Sequence, residues 1–283
     1  MLHIFGDNLD TINIELTNRC NMTCVMCYRN NLKSPLEDIE YEKLIRIIDN
    51  IASIKDRISY VYFHWRGEPT LVESLPTCID VAKNRFPRAK SILFTNGSSL
   101  NMPLSEKILN SCLDEICFSI DSINEKKYFE IRGFDFNIVF KNIQDFVSLK
   151  KKMNSNIEIK VNTVVLDDNI IELEEILSRF EALGIKVNFR QDSRSYDMGE
   201  LRQKGCPWLG KTLFIGVDGR ISPCCMDVNQ DLSLGNIYIQ DIRKILDNVL
   251  IEQIFKSTQS GVGLLEPCKN CFSKGGDYYE ENC

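Results

Sequence analysis

From Thr11 to Arg190 the chain alternates short β-branched and aromatic runs with longer stretches in which apolar residues recur every three or four positions. Such alternation is the sequence form of parallel strand–helix–strand units. The runs that read as strands are Ile12–Leu16, Tyr60–Trp65, Ser91–Thr95, Glu115–Ile120, Ile157–Val165 and Lys186–Arg190. Helical spacing is clearest in Tyr41–Ile54 and in Ile170–Leu183, where Ile170, Leu173, Ile176, Leu177 and Phe180 fall on one face. Six such units are too few to close an eight-stranded barrel. The pattern therefore predicts an α/β fold, an open partial (β/α)6 TIM-like barrel with its substrate at the C-terminal ends of the strands.

After Arg190 the rhythm breaks. Ser193–Gly205 is polar, and Thr212–Val217 and Arg220–Ser222 flank Asp218-Gly219, a pair suited to a hairpin turn. This predicts one domain over residues 1–200 and a small second one over 201–283, the latter too short for a core of its own and in need of a metal cluster for cohesion.

With 43% hydrophobic residues in 283, the chain can bury a sizeable core. A net charge of −6 argues against a broad nucleic-acid-binding surface, which would need clustered Lys and Arg. Asp7, Asp10 and Glu15 interrupt the first residues, so no signal peptide is read there, and no later stretch is long and uncharged enough to span a bilayer. The expected location is the cytoplasm, where twelve cysteines are better explained by metal ligation than by disulfides. Cys78, Cys112 and Cys117 stand alone in apolar surroundings and read as small buried hydrophobes.

The first chemical constellation is Cys20-Asn-Met-Thr-Cys24-Val-Met-Cys27, directly after the first strand. Three thiolates on one short loop can hold three irons of a cubane and leave the fourth iron without a protein ligand, whereas a structural zinc site would recruit a fourth Cys or His nearby. This spacing resembles the signature of the radical S-adenosylmethionine (SAM) superfamily. In that family Gly67-Glu68-Pro69 matches the motif that meets the amino group of SAM, although here Trp65-Arg66 replaces the commoner Gly-Gly before it. Thr95 and Asn96 after the third strand, Ser119 and Asp121 around the end of the fourth and Asn162 on the fifth occupy positions that line the SAM or substrate cavity in the family. The resemblance implies an iron with an open site that chelates SAM, and a 5′-deoxyadenosyl radical that takes a hydrogen atom from an unactivated carbon. Arg132-Gly133 reads as a loop-shaping pair, and His64, alternating with Phe63 and Trp65, faces the barrel interior.

The second constellation is Cys206, Cys224 and Cys268-Lys-Asn-Cys271, four thiolates in an order that can close a second cubane. A zinc ribbon is the competing reading. The arrangement resembles the auxiliary-cluster domain called SPASM, in its short twitch form, with Cys283 left free. Across nearly the whole chain the resemblance is to twitch-type aminocyclitol dehydrogenases and aminoglycoside epimerases. It implies two [4Fe–4S] clusters, SAM and a flavodoxin- or ferredoxin-type electron donor. It also marks Arg190, at the end of the sixth strand, as a contact for a substrate hydroxyl, and Cys225 as a hydrogen donor facing the substrate. Redox-neutral epimerisation of a sugar, aminoglycoside or related polyol is the leading expectation. Two-electron dehydrogenation of an alcohol carbon, radical modification of a ribosomal peptide, and a non-enzymatic metal-binding scaffold stand beside it. A small molecule is favoured over a peptide because the first strand begins after about ten residues, with no preceding peptide-recognition domain.

Overall fold

A computed structural model describes residues 5, 8–191, 206 and 209–269 of the chain. Six parallel strands, β1 (Thr11–Ile14), β2 (Tyr60–Phe63), β3 (Lys90–Thr95), β4 (Glu115–Ser119), β5 (Glu158–Val165) and β6 (Lys186–Gln191), lie in chain order. Helices α1 (Tyr41–Ile51), α2 (Leu75–Arg85), α3 (Met102–Leu109), α4 (Glu125–Arg132), α5 (Phe136–Met153) and α6 (Leu173–Glu181) form the connections. Each expected strand is present within a few residues of its expected limits. Helix α1 shows why the spacing works: Leu44, Ile47, Ile48 and Ile51 form its buried face, while Lys43 and Glu42 stay in water. Helix starts are set by side chains that accept from free backbone N–H groups, as Asn101 does from Leu104, Asn124 from Lys127 and Asp135 from Asn137. No helix of the described residues is long and apolar enough to cross a membrane.

Two expectations need correction. Ile170 does not join the buried face of α6, because residues 170–172 form a separate 3-10 turn and Ile170 is 56% exposed. Cys112 is exposed, whereas Cys78 and Cys117 are buried as expected.

The C-terminal segment is less separate than its composition suggests. Strand β7 (Thr212–Ile215) pairs in parallel with the free edge of β1, and the antiparallel β8 (Arg220–Ser222) and β9 (Gly235–Asn236) extend the same sheet. The Asp218-Gly219 turn forms as expected, with Gly219 at φ 79°, a left-handed conformation that suits glycine. The proposed boundary between residues 200 and 201 lies outside the described residues.

Pleating directs alternate side chains into the barrel. Tyr62 and His64 both pack on Phe94 of β3, Asn188 donates to the Asn162 side chain at 3.1 Å, and Val61 and Phe63 turn outward into the buried layer. Near the start of the strands, Lys90 and Lys160 bridge Glu115 and Glu158 at 2.6–3.2 Å, so an ionic layer closes the end opposite the loops.

Candidate active site at the C-terminal ends of the strands

The three-cysteine loop leaves β1 and is pinned from two sides. Thr23 and Val25 donate backbone N–H groups to the carbonyls of Arg132 and Ile131 at the end of α4. On the other side Glu68 donates its N–H to the Arg19 carbonyl at 2.8 Å. Gly67 makes this approach possible: a Cβ there would come within 2.1 Å of the Thr17 carbonyl oxygen and 2.7 Å of that of Arg19. The glycine thus lets the motif after β2 lie directly against the cysteine loop.

Glu68 is buried, and four hydrogen bonds converge on its carboxylate. The Thr70 N–H, the Thr70 hydroxyl and the Thr95 hydroxyl donate to Oε1, and the Asn96 N–H donates to Oε2. Pro69 begins the short turn that presents the Thr70 N–H. Oε1 takes three of these donors and Oε2 only one, so the acceptor capacity left is on Oε2. Asn96 in turn donates to the Asn21 side chain at 3.0 Å, which ties the loop after β3 to the cysteine loop.

Asp121 was expected to line the cavity. Instead it is fully buried and bound to Arg132 at 2.6 and 2.8 Å, and it accepts from the Val164 N–H. Its work is to hold Arg132, whose Nη1 reaches the Cys24 sulfur at 3.8 Å. Arg132 is therefore more than a loop former: it places a fixed positive charge beside the cysteine loop, suited to an anionic group. The only sequence signal for it was a cation in the last turn of a helix capped by Gly133. Ser119 is half-buried at the end of β4, and Asn162 faces the barrel interior. Arg190 is exposed near the end of β6, two residues after Asn188 and so on the same face of the strand as that inward-facing side chain.

His64 was an expected interior residue and is one. Its ring packs on Phe94 at 4.5 Å and meets Tyr62 edge-on at 5.7 Å; burial pushes it down to about 4, and its Nδ1 has no hydrogen-bond partner. So placed, the imidazole favours its neutral form near neutral pH.

Over this end of the barrel lies the Cys224–Gln230 loop. Cys224 accepts from the Met226 N–H at 3.4 Å, a bond common to metal-bound thiolates, and Asp227 ties the loop together through Ser222, Asp231 and Leu232. Cys225 is exposed, and its carbonyl accepts from the Trp65 indole at 2.8 Å. Cys206 and Cys268 are half-buried against the core. Cys271 and Cys283 lie outside the described residues.

This geometry has a counterpart among known proteins. The profile of the radical SAM superfamily matches residues 14–180, more than half of the chain. The chain belongs to the radical SAM superfamily. A second match, to the SPASM iron–sulfur cluster-binding domain, covers residues 206–272. The chain is 25% identical over 263 residues to the S-adenosyl-L-methionine-dependent 2-deoxy-scyllo-inosamine dehydrogenase of Niallia circulans, covering 92% of this chain and 91% of that one. It is 26% identical over 194 residues to the GTP 3′,8-cyclase of Clostridium botulinum, but there it spans only 58% of the relative's length. Among solved structures, native anSMEcpe with bound AdoMet aligns with a TM-score of 0.68 at 16% identity, covering 92% of this chain and 86% of that one. At that identity the likeness is one of fold.

Membership brings SAM and a [4Fe–4S] cluster, and the SPASM match brings further iron–sulfur chemistry. The donor set fits. Burial pushes the Cys20 thiol up and the Cys24 thiol up to about 11, with the nearby Cys27 sulfur adding to both shifts and Arg132 opposing the one at Cys24. Such thiols stay protonated until a metal displaces the proton. Among the described residues no three His, Cys, Asp or Glu side chains converge closely enough to share a single metal ion. A cubane asks less of them, since each cysteine meets a different iron.

Proposed function

We propose that this radical SAM enzyme inverts a carbon centre of a small polyol, sugar or aminoglycoside, with Cys225 as the hydrogen donor. In this reading Cys20, Cys24 and Cys27 hold the SAM-binding cluster, and Cys206, Cys224, Cys268 and Cys271 hold the auxiliary one. When bound, these groups supply a 5′-deoxyadenosyl radical that takes a hydrogen atom from an unactivated carbon, and a one-electron relay.

The chain's residues do the rest. Arg132 neutralises a carboxylate beside Cys24, and Glu68 offers its free Oε2 position to an ammonium group while keeping the loops after β2 and β3 together. Ser119, Asn162 and Arg190 offer hydrogen bonds to substrate hydroxyls on the barrel's inner face. Cys225 then gives its S–H hydrogen to the substrate carbon from the opposite side. Because an S–H bond is weaker than the C–H bond formed, the transfer runs downhill. The sulfur regains its hydrogen from one proton and one electron, the latter from a flavodoxin- or ferredoxin-type donor, and the substrate's oxidation state is unchanged.

The observation that carries this reading is the position of Cys225: a thiol exposed over the strand ends, its backbone held by a side chain from β2's own end. Turnover in D2O should place one deuterium at the inverted carbon, and Cys225→Ala should still cleave SAM but lose inversion. A Cys225→Ala enzyme that gives the wild-type product at the wild-type rate would overturn it.

The dehydrogenase relative, aligned along nearly the full length of both chains, supports a second reading. In that reading Cys206, Cys224, Cys268 and Cys271 would hold an auxiliary cluster able to accept one electron, the hydroxyl proton would go to solvent, and the alcohol carbon would end as a carbonyl. One oxidised product per 5′-deoxyadenosine, without deuterium at the carbon, would favour it.

A further inference from the structure

Where the family commonly carries two glycines before its SAM motif, this chain carries Trp65-Arg66, and neither side chain reaches toward the cysteine loop. Both reach into the second half of the molecule. The Trp65 indole N–H donates to the Cys225 carbonyl at 2.8 Å. Its ring packs on Phe214 of β7 at 5.4 Å, and the Arg66 guanidinium lies over it at 4.3 Å. Arg66 is itself fixed: it is ion-paired with buried Glu15 and donates from Nη1 to the Val228 carbonyl at 2.9 Å and to Gln230 Oε1 at 3.2 Å. A third tie comes from the segment after Cys27, where Asn229 donates to the Asn31 carbonyl and accepts from the Lys33 N–H. The loop that carries Cys225 is thus held at Cys225, at Val228–Gln230 and at Asn229. Only the first of these holds the residue that bears the thiol.

We propose that Trp65 is the positioning residue for hydrogen return: its indole N–H fixes the Cys225 backbone, and so the thiol, over the substrate carbon at the strand ends. This rests on Cys225 being the donor. The physical demand is severe, because a substrate radical that waits for a wandering thiol can lose an electron instead. Hydrogen transfer requires the two atoms within a few tenths of an ångström of contact distance, and small misplacements cost rate steeply. A backbone held by a directed hydrogen bond, from a ring that packs on Phe214 and lies under the Arg66 guanidinium, supplies that placement. No glycine at position 65 could do so.

The test is Trp65→Phe in the cluster-loaded enzyme, which keeps an aromatic ring beside Phe214 and removes the N–H together with the rest of the indole. Two quantities are read: inverted, singly deuterated product in D2O per 5′-deoxyadenosine formed, and amide hydrogen exchange of residues 224–228. Normalising to 5′-deoxyadenosine removes any effect on SAM cleavage. Loss of one hydrogen bond should speed that exchange about three- to tenfold. The inverted fraction should fall several-fold, with oxidised or abortive product in its place. Trp65→His, which puts back a ring N–H, should recover part of both. An unchanged inverted fraction in Trp65→Phe overturns the proposal. Cys225→Ala then says why: if it too leaves the product unchanged, the donor reading has failed, and if it abolishes inversion, the error lies with Trp65 alone.

Discussion

His64 and Arg132 show how much a single side chain's meaning depends on what surrounds it. In the sequence one is a polar residue in an alternating strand and the other a cation at a helix end. In the fold, His64 is packed among Phe94 and Tyr62 with an unpartnered Nδ1, and Arg132 is locked by Asp121 against the Cys24 sulfur. The histidine makes stability depend on pH in a direction that can be stated. Its folded value is pushed down by burial to about 4 from an ordinary value near 6.5. Between those limits the unfolded chain binds a proton that the folded chain refuses. The contribution of neutral His64 is therefore present above pH 6.5 and is lost as the pH falls toward 4. His64→Phe should flatten the pH dependence of the denaturation midpoint across that window, as read by urea titrations at several pH values. An unaltered slope would mean that the imidazole is solvated after all.

At the scale of elements, the turns after β2 and β3 matter more than the strands. Gly67, Glu68, Thr95 and Asn96 act as one unit that keeps two loops and the cysteine segment in contact. Gly67→Ala should force the Thr17–Arg19 backbone away, since the clash is with carbonyl oxygens that cannot rotate aside. The expected outcome is at least a tenfold loss of SAM affinity in equilibrium binding, with the far-ultraviolet circular dichroism unchanged. Wild-type affinity in that variant would show that the close approach is not needed. The start of α6 teaches the complementary lesson. Ile170 fits the helical period, but Asn169 breaks it: its side chain accepts from the Leu166 N–H and donates to the Asp121 and Val164 carbonyls, which fixes a turn and leaves Ile170 and Ile171 outside. A period computed from apolar residues cannot see a buried asparagine diverting the backbone.

At the scale of the whole molecule, β7 joins β1 and the buried Glu15–Arg66 pair joins the barrel to the 228–230 segment. Glu15 accepts from the Arg66 side chain and from the backbone N–H groups of Arg66 and Val217, so both halves of the chain depend on it. Removing one member of such a pair leaves the other buried and uncompensated, at a cost of about 3–5 kcal/mol. Arg66→Met alone should therefore lower the denaturation midpoint sharply, whereas Glu15→Met with Arg66→Met should recover much of the loss. A double variant as unstable as the single one would mean that the backbone and Gln230 contacts, and not the ion pair, join the halves.

The chain's own order of residues determined the strand–helix rhythm, the three-cysteine loop and the glycine-containing motif after β2, because each is local: periodicity, spacing and turn chemistry act within a few residues. The second cysteine set, Cys206, Cys224 and Cys268-Lys-Asn-Cys271, is legible in the same way, from spacing alone. Tertiary structure alone decided what joins these parts. The bond from Trp65 to Cys225 spans 160 positions and that from Arg66 to Val228 spans 162. The parallel seam between β1 and β7 likewise pairs Thr11 with Thr212, on strands far apart along the chain. Whether two such distant groups meet depends on how the sheet twists and where its edge is left open, and no local pattern encodes either.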